Sequence, residues 1–169
     1  MFPMPVPRLF IPAMILAVFC VLTITRSSIY QDEITLWLDT VAKSPAKART
    51  HNGLGDAFQK AGRFDDARTQ FEQAVEIDPN YTDALFNLSV IYNTQGRSGE
   101  ALQLLERALA LDPSHHLARF SLAMLYYDRG SMAEAEQEYE LVLRLAPFSG
   151  EADFARQMLN RIRTASPSR

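Results

Sequence analysis

The residues of this 169-residue chain best suited to metal or nucleophilic chemistry are three histidines and a single cysteine. His115 and His116 are adjacent, but no Asp, Glu or Cys stands at a matching helical spacing to complete a ligand set. The pair reads as a solvated linker, and His51 as a packing residue. Cys20 is alone, so it forms no intrachain disulfide and founds no multi-cysteine zinc site. It stands in an apolar run and reads as an inert buried thiol. No serine has an evident histidine and acid at triad-like positions. The seven glycines compose no phosphate-binding loop. Glu134, Glu136, Glu138 and Glu140 spread around a helix and read as a solvated face. The expectation is a chain that is not an enzyme, with no cofactor, no metal and no small-molecule substrate. Its 17 basic and 20 acidic side chains leave a net charge of −3, with no basic surplus for nucleic acid.

The elements that position these residues announce themselves by period. Pro45, Pro79, Pro113 and Pro147 are spaced 34 residues apart. Gly62, Gly96 and Gly130 keep the same interval, as do Ala67, Ala101 and Ala135. Each ladder has a physical cause. The glycines fall where a first helix must stop and supply a left-handed residue without a Cβ penalty. The alanines let two helices approach closely. The prolines end the second helix, with turn chemistry from Asp78-Pro79-Asn80 and Asp112-Pro113-Ser114. Between these marks the apolar spacing is helical, as in Leu85, Leu88, Ile91 and Tyr92. Nothing reads as a strand.

A 34-residue helix–turn–helix period resembles the tetratricopeptide repeat. Aligned on the prolines, the units are 48–81, 82–115 and 116–149. The first carries Leu54, Gly55, Phe58, Ala67, Phe71, Ala74 and Pro79 at the family's positions, with His51 where a Trp is usual. The second carries Leu88, Ser89, Tyr92, Ala101, Leu105, Ala108 and Pro113. The third carries Leu122, Ala123, Tyr126, Ala135, Tyr139, Val142 and Pro147. The expected fold is an all-α solenoid of three such units with a flanking helix at each end. An amphipathic helix at 30–43, within a linker and partial-repeat segment 26–47, turns Ile34, Trp37, Leu38 and Val41 to one face. A capping helix at 150–163 turns Phe154, Met158, Leu159 and Ile162 inward, before a tail at 164–169.

The resemblance implies a concave groove lined by the first helix of each unit. Its groove positions are Arg49, Asn52, Asp56 and Gln59 in the first unit. They are Asp83, Phe86, Val90 and Asn93 in the second, and Leu117, Phe120, Met124 and Tyr127 in the third. The groove is therefore polar at one end and apolar at the other. Repeats that grip a peptide's carboxylate end place Lys, Asn and Arg there. Asn87 fits one such place, but Leu117 and Ser121 stand at the basic ones. The row Phe86, Val90, Phe120, Met124 and Tyr127 suits an apolar segment of another protein. The helix at 150–163 or a neighbouring copy is the alternative cover. Residues 48–155 hold 9 basic and 17 acidic side chains, which favours a basic partner.

Residues 1–30 contain two charges, Arg8 and Arg26, and no acid. After a tail at 1–8, the 17 uncharged residues 9–25 meet the minimum length of a membrane helix. Cleavage sites for a signal peptide are poor there, and Phe19 before Cys20 does not fit a lipoprotein signal. The expectation is a single-pass anchor. The run Arg26…Glu33…Leu36-Trp37…Ser44-Pro45…His51-Asn52-Gly53-Leu54-Gly55 is similar to the junction in polytopic mannosyltransferase-like membrane proteins. In these the last membrane helix runs into a repeat array. That resemblance implies that the repeats lie on the non-cytoplasmic side and that any glycosyl-transfer chemistry belongs to a membrane domain not contained in these residues. The chain thus reads as a membrane-anchored interaction scaffold, or as the C-terminal part of a larger glycosyltransferase-like protein.

Overall fold

A computed structural model describes Ile15, Val18 and residues 31–165. Among the described residues every regular element is an α-helix. They are α1 (31–43), α2 (Ala48–Lys60), α3 (Phe64–Ile77), α4 (Thr82–Thr94), α5 (Ser98–Leu111), α6 (His116–Asp128), α7 (Met132–Leu145) and α8 (Gly150–Ala165). The pairs α2–α3, α4–α5 and α6–α7 pack most extensively, and each pair leans on the next. α8 closes the far end against α7, with a lighter contact to α6. The result is an all-α solenoid.

The three glycines end α2, α4 and α6 in the same way. Gly62, Gly96 and Gly130 take φ of 77, 76 and 80°, a left-handed backbone that a side chain would strain. In each case the glycine N–H returns to the carbonyl three residues back, and the following N–H returns five residues back. The bonds are Gly62 to Gln59 at 3.0 Å and Arg63 to Phe58 at 2.9 Å, Gly96 to Asn93 at 3.0 Å and Arg97 to Tyr92 at 2.9 Å, Gly130 to Tyr127 at 3.0 Å and Ser131 to Tyr126 at 2.9 Å. This is the Schellman arrangement, which satisfies carbonyls that the helix end would orphan.

Close packing inside each pair follows from small residues. Ala67, Ala101 and Ala135 are fully buried. At one equivalent pair of positions in each unit a small residue on the first helix accompanies a larger one on the second: Gly55 with Phe71, Ser89 with Leu105, Ala123 with Tyr139. A Cβ placed on Gly55 would stand 2.5 Å from the Phe71 ring. Burying side chains of this size contributes roughly 1.5–3 kcal/mol each.

The four repeat-ending prolines share a feature that their spacing does not reveal. Each carbonyl accepts a hydrogen bond from a side chain. His51 Nε2 donates to Pro45 at 2.9 Å, Arg119 Nε to Pro113 at 2.8 Å and Arg156 Nη2 to Pro147 at 2.6 Å. Arg107 Nη2 donates to Pro79. His51 and Arg119 occupy the same register, six residues past their prolines. In the second unit that register holds Leu85, which has no donor, and Arg107 from α5 substitutes. His51 Nδ1 also meets the Gln70 side chain at 2.9 Å, which ties the α1–α2 turn to α3.

α1 packs on α2 through Ile34, Trp37 and Val41. Leu38, expected on that face, is exposed instead, because one step past Trp37 rotates a side chain about 100° around the helix. Likewise α8 buries Ala155, Met158, Leu159 and Ile162, whereas Phe154 is left 41% exposed. The expected membrane span at 9–25 lies outside the described residues except for Ile15 and Val18, both helical and exposed. Among the described residues no helix is long and apolar enough to cross a membrane.

Candidate functional site

The sequence-predicted groove residues sit on α2, α4 and α6 and separate into three neighbourhoods. The first is polar and lies between α2 and α4. Asn52 is 6% exposed, an unusual depth for an asparagine, and its Oδ1 accepts from Asn87 Nδ2 at 3.1 Å. The same amide donates to Asp56 Oδ1 at 3.1 Å. Burial raises the Asp56 carboxyl above its ordinary value; Lys60 opposes the shift, while Asp83 and Glu33 add to it. Lys60 itself donates to Glu33 on α1 at 2.7 Å. Arg49 and Asp83 line a broad depression of 620 Å³ at the edge of this region, with Lys47, Asp78 and Tyr81. Gln59, further along α2, is half-buried.

The second neighbourhood is an apolar cavity between α4 and α6. Val90 and Asn93 of α4 and Met124 of α6 line a volume of 180 Å³, with Ser89, Leu105 and Ser121 at its base and sides. Its position has a cause in the repeat. The residue facing Ser89 is Leu105, whereas the first and third units carry an aromatic there, Phe71 and Tyr139. A leucine leaves unfilled what a ring fills in its sister units. The Ser89 hydroxyl donates to the Phe86 carbonyl at 2.6 Å, so it does not depend on a groove ligand.

The third neighbourhood is the apolar row toward α8, and it is partly covered. Phe120 stands edge-on to Tyr139 at 6.2 Å and to Phe154 of α8 at 5.5 Å. Tyr127 packs on the cluster that α8 completes. Leu117 is half-buried. Of the predicted row, then, Val90 and Met124 remain accessible around the cavity while α8 occupies the end. Phe86 packs its ring on His115 at 5.1 Å.

Several assignments change in this light. His115 caps α6: its Nδ1 accepts from the Ala118 N–H at 3.2 Å, and its Nε2 lies 3.6 Å from Asp83 Oδ1. The glutamate row on α7 is largely engaged. Glu136 and Glu140 both receive Arg163 at 2.7 Å, and Glu138 receives Arg119 at 2.8 Å. Among the described residues no three His, Cys, Asp or Glu side chains come together as metal ligands. Asn87 is the central residue of the polar neighbourhood. Its signal was the pairing of Asn52 with Asn87, 35 residues apart, which places two amides side by side on adjacent first helices.

The crystal structure of MamA superposes with a TM-score of 0.70 over 80% of this chain and 78% of that one, at 21% identity, a likeness of fold. The first TPR of Spaghetti (RPAP3), solved with the HSP90 peptide SRMEEVD, superposes with a TM-score of 0.66 at 25% identity, over 72% and 94% of the two chains. Protein O-mannosyl-transferase Tmtc2 of Drosophila melanogaster is 29% identical over 75 residues. These are 44% of this chain and only 8% of that protein. The tetratricopeptide repeat profile matches residues 52–115 and 94–150, more than half of the chain. By that match, and by the helix pairs, glycine ends and alanine contacts that repeat within it, the chain belongs to the tetratricopeptide repeat family.

Proposed function

We propose that this chain is a non-catalytic scaffold that holds a segment of another protein in the groove of its first helices, tethered to a membrane through residues 9–25. The observation that carries the reading is the cavity between α4 and α6. It opens between Val90, Asn93 and Met124, and all three stand at groove positions. Apolar cavities of about 150 Å³ accept a benzene-sized guest, so one aliphatic side chain fits. A similar fold, that of Spaghetti (RPAP3), carries a bound peptide. The same peptide is not the expected ligand here. Its acidic end would meet Asp56 and Asp83, and Leu117 and Ser121 stand where basic residues would receive it.

The test is a peptide array probed with the detergent-extracted protein and with Val90→Glu and Met124→Glu variants. Neither side chain is in a core cluster, so both variants keep the helical circular dichroism of the parent. Apolar segments bound by the parent are lost from both variants. Unchanged binding overturns the groove reading.

A second reading is favoured by the match to Tmtc2. In it the chain is the C-terminal portion of a larger membrane protein whose glycosyl-transfer domain lies elsewhere, with the repeats on the non-cytoplasmic side. An antibody to the repeats distinguishes the two on a blot of native membranes. A band near the 19.1 kDa of this chain supports the first reading. A much larger band supports the second.

A further inference from the structure

The groove reading leaves the chemistry of its occupant open, and two features side by side narrow it. The inference rests on that reading. The polar neighbourhood holds Asn87 between Asn52 and Asp56, with one amide nitrogen committed to both. Asn52, although nine-tenths buried, donates its own amide hydrogens to no described residue. Asp56 is bonded through one oxygen and is half-buried, with Asp83 and Glu33 adding negative potential. Lys60 offsets part of it but lies 2.7 Å from Glu33 on the α1 side. The cavity between α4 and α6 is the apolar counterpart. The two features lie on either side of α4, the polar one toward α2 and the cavity toward α6.

We propose that the occupant is an extended segment of another protein in which a lysine or arginine and a leucine-sized aliphatic residue stand three positions apart. The cation lies beside Asp56 and the aliphatic side chain fills the cavity left by Leu105. On a polyproline-type strand residues three apart share a face and are separated by about 9 Å, so one strand crossing α4 presents both side chains to the groove. Such a strand also brings backbone carbonyls past the Asn52 amide. Charge complementarity favours this occupant over an acidic one, since residues 48–155 hold 17 acidic and 9 basic side chains.

Fluorescence anisotropy with the full chain in mild detergent tests the proposal. The probes are labelled Lys-Pro-Pro-Leu and Leu-Pro-Pro-Lys peptides, with Glu-Pro-Pro-Leu and Lys-Pro-Pro-Ser as controls. The better lysine–leucine peptide binds roughly tenfold more tightly than either control, about 1.4 kcal/mol in each comparison. Asp56→Asn, which keeps the shape of the side chain, removes the preference for lysine over glutamate and keeps that for leucine over serine. The double change Ser89→Ala with Leu105→Tyr installs the pairing of the third unit, fills the cavity and does the reverse. Added salt weakens lysine peptides on the parent protein, a readout that needs no variant. Equal binding of the lysine and glutamate peptides overturns the cationic occupant, and leaves the groove reading standing if leucine is still preferred. Equal binding of leucine and serine peptides, or no binding of any peptide at millimolar concentration, overturns both.

Discussion

Two side chains in the array are held at a cost, and burial is the leading cause of both. Tyr139 is fully buried, and its hydroxyl has no hydrogen-bond partner among the described residues. Burial also drives its pKa up to about 12, so it stays neutral throughout the working range. Its ring is wanted for the Ala123 contact, and the hydroxyl comes with it. Tyr139→Phe is expected to stabilise the fold by about 1 kcal/mol in urea unfolding, because a desolvated, unpaired donor is removed without a change of shape. Asp56 is the second. A carboxyl whose folded pKa is raised binds its proton more tightly when folded. Its ionised form therefore lowers stability at neutral pH, and the penalty fades as pH falls through that raised value. Asp56→Asn is expected to raise the melting temperature at about pH 7 and to lose that advantage near pH 4. The group that weakens the fold is the one assigned to the cation, a trade common at binding sites.

At the scale of the element, what a sequence shows of a helix is its ends and its period. The glycine, alanine and proline ladders were readable because each answers a local demand that recurs every 34 residues: a left-handed residue, a close contact, a stop. Which way a helix is rotated about its axis was less readable. Leu38, one step past Trp37, is exposed, and Phe154, one step before the buried Ala155, meets Phe120 at the rim while remaining 41% exposed. His115 looked like linker because capping depends on the backbone path before α6 and not on composition. The docking of α1 offers a direct measurement. Trp37 is the only tryptophan, and a Cβ on Gly53 would stand 2.5 Å from its ring. Gly53→Ala is expected to push α1 outward, shift the tryptophan emission to the red and leave the Schellman ends of the other units intact. Unshifted emission would show that α1 accommodates the methyl by sliding.

In the whole molecule, stability is a sum of units and of the seams between them. α8 is the seam at the far end. It supplies Ala155, Met158, Leu159 and Ile162 to the cluster around Tyr139 and Val142. A chain ended before Gly150 is expected to lose more than the roughly 2–5 kcal/mol of a single large-to-small core change, to melt over a broader range and to self-associate in sedimentation, because Tyr139 and Phe120 lose their cover. An unchanged melting curve would mean that the third unit caps itself. The groove reading took its positions from the repeat register, and the helices α2, α4 and α6 that carry them are in place. Its positions followed from family resemblance, but the cavity arises from Leu105 on a second helix, where no groove-position rule looks. The cover supplied by α8 was weighed as an alternative; Phe154 of α8 meets Phe120, whereas the cavity lined by Val90 and Met124 is lined by no residue of α8.

The proline carbonyls carry a direction in time. Every donor that closes one lies later in the chain: His51 after Pro45, Arg107 after Pro79, Arg119 after Pro113, Arg156 after Pro147. As the polypeptide leaves the ribosome, three of these latches shut within six to nine residues. The latch on Pro79 waits for 28, until nearly all of α5 has emerged. The carbonyl that ends the first repeat is thus closed by a residue of the second, a tie that passes over α4 to α5, whereas the other three prolines are closed from the helix that follows them.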